Sequence, residues 1–475
     1  VGAAVPARAF DPASFRDPSS TVFYAGDDVL RGLDAEASAD WEALSKAAFF
    51  AEAMKAGSIV RTEALAESEA AQARPKGRDW PTVLRHERVP FVSYPYEWTF
   101  SQLQDAALLH LDLLSDALAS GLSMKDGYAY NVQWHGARPT FIDVPSFARS
   151  SGGPWPGYRQ FCQTFLFPLL LQAHKDVSFR PFLRGQVNGI EPRQIRAIMS
   201  GRDAFKAGVL KNVVLHSAVE GKFATDARGS RQVGEDLQKA GFSTELTKAA
   251  AKSLRKVVAG LRWDAGDSHW KTYQDTNTYT DEDRAAKEAF VDGALSGRDT
   301  GLVWDLGCND GTYSRIAARH ADTVVAVDGD EATIDALYRA LRRDGDTKIL
   351  PLVMDLTDPS PGIGWRGTER PAFGDRRQPD AVLALALLHH IAITANVPLP
   401  QVVDWLHAMN ARTVVEFVHT DDPMTQRLLS NKPAGLFPDY RVEVFERLLG
   451  ERFTVEKEER LPSGTRTLYL VTPRA

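Results

Sequence analysis

Cysteine is almost missing from these 475 residues: there are two, Cys162 and Cys308. That excludes a disulfide framework and leaves no cysteine pattern for a metal, so no metal is expected. No apolar run approaches the ~20 residues that a membrane helix needs. The first ten residues carry no basic segment ahead of a long apolar stretch, so no signal peptide is expected either. A basic excess is also absent. The net charge of -6 and a pI near 6.0 argue against nucleic acid as a main partner. No internal repeat and no low-complexity tract stands out. What remains is an ordinary globular composition, 44% hydrophobic and 25% charged, in a chain too long for one core. A reducing, cytoplasmic setting is expected.

The chain reads in three pieces. Residues 1–150 mix strands and helices. A hairpin is expected at Thr21–Tyr24 and Val29–Leu33 around Gly26-Asp27-Asp28, followed by a helix over Trp41–Ala56 and a short strand at Pro90–Tyr94. Phe100–Ala119 places Leu103, Ala107, Leu111, Leu114 and Leu118 on one helical face, with Gly121 as its stop. Two brief strands, Asn131–Trp134 and Pro139–Val144, complete this part. Residues 151–265 are mostly helical, with a Gly- and charge-rich loop at Glu220–Gly234. Within them, Lys248–Arg262 forms an amphipathic helix whose basic face is read as solvated. Residues 266–475 alternate helices with apolar strands, which predicts a doubly wound parallel α/β sheet.

The strongest chemistry lies in that last third. Gly301-Leu-Val-Trp-Asp305-Leu-Gly307-Cys-Asn309-Asp-Gly311 reads as strand, turn and helix start. Glycines there let a ligand approach the backbone where a Cβ would clash. The strand Thr323–Val327 ends in Asp328, placed to accept hydrogen bonds from both hydroxyls of a ribose. Ile349–Met354 runs into Asp355-Leu356, near where an adenine amino group would lie. The fourth strand, Asp380–Leu387, includes Leu385 and leads to His389-His390; the fifth, Thr413–Val418, leads to His419 and Asp421-Asp422. A dinucleotide site wants G-x-G-x-x-G. This turn is D-x-G-x-N-x-G instead, and its opening acid would repel a phosphate while suiting a sulfonium or an ammonium group.

These residues resemble the first motif of the class I S-adenosylmethionine-dependent methyltransferases, with Asn309 in place of the middle glycine. The resemblance implies a C-terminal Rossmann-like methyltransferase sheet and S-adenosyl-L-methionine as cofactor. It implies a binding set of Tyr279, Asp305, Gly307, Asn309, Gly311, Asp328, Asp355, Leu356 and Leu385. The alternative is a similar sheet that binds another nucleotide, or an inactive copy. Lys287, on a helix capped by Thr280, is with Tyr279 a candidate to contact the donor, against the reading in which Trp270, Tyr273 and Tyr279 pack between domains. A general base is needed only where the methyl acceptor must lose a proton. His389, His390, His419 and Asp421 are the candidates, against the reading in which these histidines cap and pack.

A second constellation stands in the N-terminal third: Lys125-Asp126, then Asn131, then Asp143 closing the next hairpin. It resembles the catalytic loop and metal-binding aspartate of kinases. The departures are several: no glycine-rich phosphate loop, no Val-Ala-Ile-Lys strand (Arg31 is the nearest basic residue on a strand), and Val144-Pro145 after the aspartate. The expectation is a degenerate kinase-like α+β domain that docks substrate, with phosphotransfer as the alternative. The two halves together resemble a bacterial group related to the nodulation protein NoeA, which implies natural-product methylation. The expected partner is a small-molecule or carrier- or peptide-bound substrate. A non-catalytic donor-binding module remains the other alternative. The acceptor atom and the oligomeric state are left open.

Overall fold

In the computed structural model, which describes residues 9–150, 152–209, 212–213, 244–264, 280–433 and 435–474, the chain divides into two units. The described residues within 1–134, 139–264 and 362–371 form the first, and those within 135–138, 265–361 and 372–475 form the second. The expected loop at Glu220–Gly234 lies outside the described residues.

The first unit is α+β. Its five-stranded antiparallel sheet runs β1 (Ala9–Phe10), β2 (Ser20–Ala25), β3 (Asp28–Leu33), β5 (Thr82–His86), β4 (Thr62–Ala64). The expected hairpin joins β2 and β3 through Gly26-Asp27, with Ala25 opposite Asp28 and Gly26 at φ +59°. Strand alternation then sorts the side chains. Phe23, Leu30 and Val83 pack with Trp80 and Ala70 on one face, while Leu33 and Leu84 meet Ala37, Trp41, Val144 and Phe147 on the other. Gly32 lies beneath the Trp80 ring, where a Cβ would collide with the indole. Gly32→Ala is therefore expected to cost about 1–3 kcal/mol by overpacking, read as a lower midpoint in thermal unfolding; an unchanged midpoint would show that the indole moves freely.

Two sequence expectations change here. Trp41–Ala56 is two helices, Ala35–Ser45 and Ala48–Ala56, because Ala47 is extended at ψ 126°. The break lets Phe50 bury and meet Trp41 edge-on at 5.7 Å. No strand forms at Pro90–Tyr94. The Ser93 N–H and C=O are satisfied by the Gln133 side-chain amide, both at 2.9 Å, so no ladder partner is needed. The helix Phe100–Ala119 forms as expected, with a reciprocal Thr99–Gln102 cap and Leu103, Ala107, Leu111 and Leu114 fully buried. After it come β6 (Leu122–Met124), β7 (Val132–His135), β8 (Arg138–Phe141) and β9 (Phe147–Arg149), with β6 pairing β9.

The second unit carries β10 (Thr300–Leu306), β11 (Ala321–Asp328), β12 (Ile349–Val353), β13 (Ala381–Ala384), β14 (Arg412–Val418), β15 (Phe453–Arg460) and β16 (Arg466–Pro473). They form one sheet in the order β12-β11-β10-β13-β14-β16-β15. Counted from β10, this is 3-2-1-4-5-7-6. The first five are parallel, and β16 is antiparallel to both neighbours. Continuous apolar runs such as Val324–Val327 are buried on both faces, as parallel strands between helices require. The strand expected over Asp380–Leu387 is shorter, ending at Ala384, because Ala386 turns into the left-handed region at φ +49°. Strand order reverses between β10 and β13, so the carboxyl ends of these two strands flank the crevice where open sheets bind ligands.

Candidate active site

At that crevice β10 delivers a cradle of backbone. Gly307, Asn309 and Gly311 all have positive φ, at +78°, +49° and +79°. The Gly307 and Cys308 N–H groups donate to Val327 O at 2.8 and 3.0 Å, which seats the loop on β11. A Cβ at Gly311 would meet Leu337 at 2.7 Å. Asn309 stands where the family motif has glycine, and asparagine tolerates the left-handed region better than most residues; its N–H donates to Asp328 Oδ2 at 3.0 Å. The other Asp328 oxygen accepts the Asp330 N–H at 3.0 Å. Burial raises the Asp328 pKa, against the pull of those N–H donors.

Asp305 is buried beneath the loop and accepts a hydrogen bond from Ser314 Oγ at 2.6 Å. Burial pushes its pKa up to about 6. Asp355 is exposed, and its Oδ1 accepts the N–H and the hydroxyl of Thr357 at 2.8 and 2.7 Å. Leu356 is half-buried and Leu385 buried, each just beyond its strand. The candidate binding residues therefore gather at the carboxyl edge of β10–β13, with a direct hydrogen bond between Asn309 and Asp328. Tyr279 lies outside the described residues.

Beside the cradle runs a buried chain of charges. Lys287 Nζ, from the helix Asp281–Leu295 capped by Thr280 as expected, sits 2.6 Å from Glu416 Oε2 and 4.7 Å from the centre of the Tyr313 ring. Arg466 reaches Glu416 Oε1 at 3.3 Å and Asp422 Oδ2 at 2.9 Å. Burial pulls the Lys287 pKa down while Glu416 holds it up. Sequence reasoning missed Glu416 and Arg466. The available signal was a glutamate inside the apolar strand Thr413-Val-Val-Glu416-Phe-Val418, since a carboxylate there must be paired.

The four candidate bases fall in different surroundings. His389 is fully buried, and neither ring nitrogen has a hydrogen-bond partner among the described residues; burial first, then His390 and Arg466, keep it neutral. His390 packs against it at a tilt of 40°, with 4.2 Å between ring centres, and is half-buried. Burial and then Arg466 push the His390 pKa down to about 4. His419 pairs with the Thr467 hydroxyl at 2.9 Å, and its charged neighbours are Arg460, Asp421, Glu446 and Glu443. Asp421 is exposed. The charge of Arg466, in the Lys287–Glu416–Arg466 chain, thus acts on both His389 and His390, whereas His419 responds to a different set of charges.

In the first unit, Asp143 accepts from Arg31 Nη1 and from Asn131 Nδ2, the latter at 3.2 Å. Burial and then Asp143 raise the Asp126 pKa. The three residues of the second constellation are neighbours, with Arg31 neutralising one acid. Among the described residues, no three His, Cys, Asp or Glu side chains are grouped to hold a metal ion, and no helix is long and apolar enough to cross a membrane.

No protein-family model matches the chain. It is similar to the nodulation protein NoeA of Rhizobium meliloti (strain 1021), 32% identical over 471 residues that cover 98% of this chain and 97% of that protein. Among solved structures it is similar to the N-methyltransferase NodS from Bradyrhizobium japonicum WM9 in complex with S-adenosyl-L-homocysteine: 15% identity, 44% of this chain and 94% of that one, TM-score 0.31. It is also similar to the PH0226 protein from Pyrococcus horikoshii OT3: 17% identity, 44% of this chain and 100% of that one, TM-score 0.32.

Proposed function

The chain belongs to the family of the nodulation protein NoeA, and on that premise we propose that it is an enzyme transferring a methyl group from S-adenosyl-L-methionine to a small molecule or a carrier- or peptide-bound metabolite. The observation that carries this reading is the cradle of Gly307, Asn309 and Gly311 tied to Asp328 at the switch point of a 3-2-1-4-5-7-6 sheet. A Cβ at Gly307 would meet Leu387 at an ordinary contact distance of 3.4 Å, so it is the φ of +78° that calls for glycine there. When bound, the donor supplies a sulfonium-activated methyl group. Asp328 holds the ribose hydroxyls, Asp355 and Leu356 border the adenine, and Leu385 lines the opposite wall. Asp305 faces the ammonium group. Positioning does most of the work, because the methyl group is already activated.

Where the acceptor must shed a proton, His390 is the group placed to take it. It is half-buried, and burial holds it neutral. Ultraviolet irradiation with methyl-labelled S-adenosylmethionine tests the assignment: label is expected in peptides between Thr300 and Asp330 or Ala381 and His390, and label confined to the first unit would refute it. The charge of Asp305 makes a second prediction. Its pKa of about 6 means that it gains a proton as pH falls, and a neutral acid no longer attracts an ammonium. Affinity for S-adenosylhomocysteine should therefore decline as pH is lowered through about 6; a flat profile across that range would remove Asp305 from the site.

For the first unit we propose a degenerate kinase-like domain that helps select substrate. Asn131 is hydrogen-bonded to Asp143 there and Asp126 lies within reach of the Asp143 charge, but Arg31 pairs with the acid that would otherwise hold magnesium. No heat is expected on titration with ATP and magnesium, and saturable binding would revive the phosphotransferase reading.

A further inference from the structure

We propose that Glu416 is a positioning residue of the donor site: through the backbone N–H of Ala386 it fixes the left-handed turn that carries Leu387 against Gly307, and so sets one wall of the cradle. The inference rests on the donor reading above and adds a residue that no motif marks.

Ala386 occupies φ +49°, a region that disfavours any residue with a Cβ. Alanine has no side chain to stabilise the turn for itself, so the restraint must come from elsewhere. Its N–H donates to Glu416 Oε2 at 2.8 Å. Register places Glu416 for this task, since β13 and β14 pair Ala384 with Val415 and bring the next residue of β14 level with the exit of β13. Glu416 has no solvent exposure. Lys287 on the same oxygen and Arg466 on the other balance its charge, as a buried carboxylate requires. Immediately after the turn, Leu387 Cδ1 lies 3.4 Å from where a Cβ on Gly307 would stand. His389 and His390 follow at the start of the next helical segment. One hydrogen bond therefore governs the leucine wall and the approach of both imidazoles.

The test compares S-adenosylhomocysteine affinity, by calorimetry, in the wild type, Glu416→Leu, Ala386→Val and the double variant Glu416→Leu/Ala386→Gly. Leucine removes the oxygen that accepts the Ala386 N–H, and a weakening of about tenfold or more is expected. Valine raises the strain of the turn with Glu416 intact, and should weaken binding by about tenfold as well. Glycine adopts the turn without help, so the double variant should return to within about threefold of the wild type. That rescue separates positioning from a general structural role, which a local backbone change would not repair. Wild-type affinity in Glu416→Leu, or no recovery in the double variant, overturns the proposal. Should Glu416→Leu not fold, wild-type affinity in Ala386→Val overturns it. Failure of the wild type to bind, or indifference to Asp328→Ala, would instead overturn the donor reading and this inference with it.

Discussion

Asp328→Ala is expected to weaken S-adenosylhomocysteine binding by about 100-fold while the protein stays folded. Two effects combine. The carboxylate is the group at the end of β11 placed for the ribose hydroxyls, and hydrogen bonds to a charged group are worth about 1.5–3 kcal/mol each. One such bond alone corresponds to about tenfold or more. The same carboxylate also anchors the loop, through the Asn309 and Asp330 N–H groups at 3.0 Å each. Without it Asn309 loses the restraint that holds its positive φ, and the cradle loosens. Asp328→Asn keeps one acceptor oxygen, so an intermediate loss is expected. Calorimetric titration of the three proteins checks the order, and an alanine variant that binds like the wild type would place the donor away from Asp328 and its loop.

Lys287→Met should have the largest effect on stability. Lys287 and Glu416 are both buried, at 3% and 0% side-chain exposure, with Nζ and Oε2 2.6 Å apart. Removing one partner of such a pair leaves a buried charge uncompensated, at a cost of about 3–5 kcal/mol. Arg466 at 3.3 Å from the other oxygen places the expected loss near the lower end. Methionine fills most of the space of the lysine stem, so the loss reports charge rather than a cavity. Denaturant unfolding of the single and double variants tests this. Combining Lys287→Met with Glu416→Gln should cost clearly less than the sum of the two, because residues in one network do not act additively. Strict additivity would mean that the pair is not coupled.

The sheet was legible in the sequence because its parallel strands are short, continuous apolar runs ending in acids. Val324–Val327 leads to Asp328, and Ile349–Val353 leads to Met354 and Asp355, as strand and strand-end chemistry dictate. The cradle was legible for a similar reason, since positive φ restricts the residues allowed, and Gly307, Asn309 and Gly311 satisfy it. What escaped were features set by tertiary contacts. Ala386 carries no sign of a left-handed turn, because the restraint is supplied by Glu416, thirty residues away. Ala47 breaks a run of good helix formers without a glycine or proline to announce it. Pro90–Tyr94 has strand composition, yet its backbone is satisfied by the side chain of Gln133. Arg31 was noted only as a basic residue on a strand, and its pairing with Asp143 emerges from the fold.

Donor binding at the carboxyl edge of β10–β13 underlies everything proposed for the second unit. Its most direct test is calorimetric titration of the full chain with S-adenosylhomocysteine, alongside ATP with magnesium. Saturable binding of S-adenosylhomocysteine at one site per chain, with no heat from ATP and magnesium, is the predicted result. No binding of S-adenosylhomocysteine, or saturation by ATP and magnesium alone, would contradict the account.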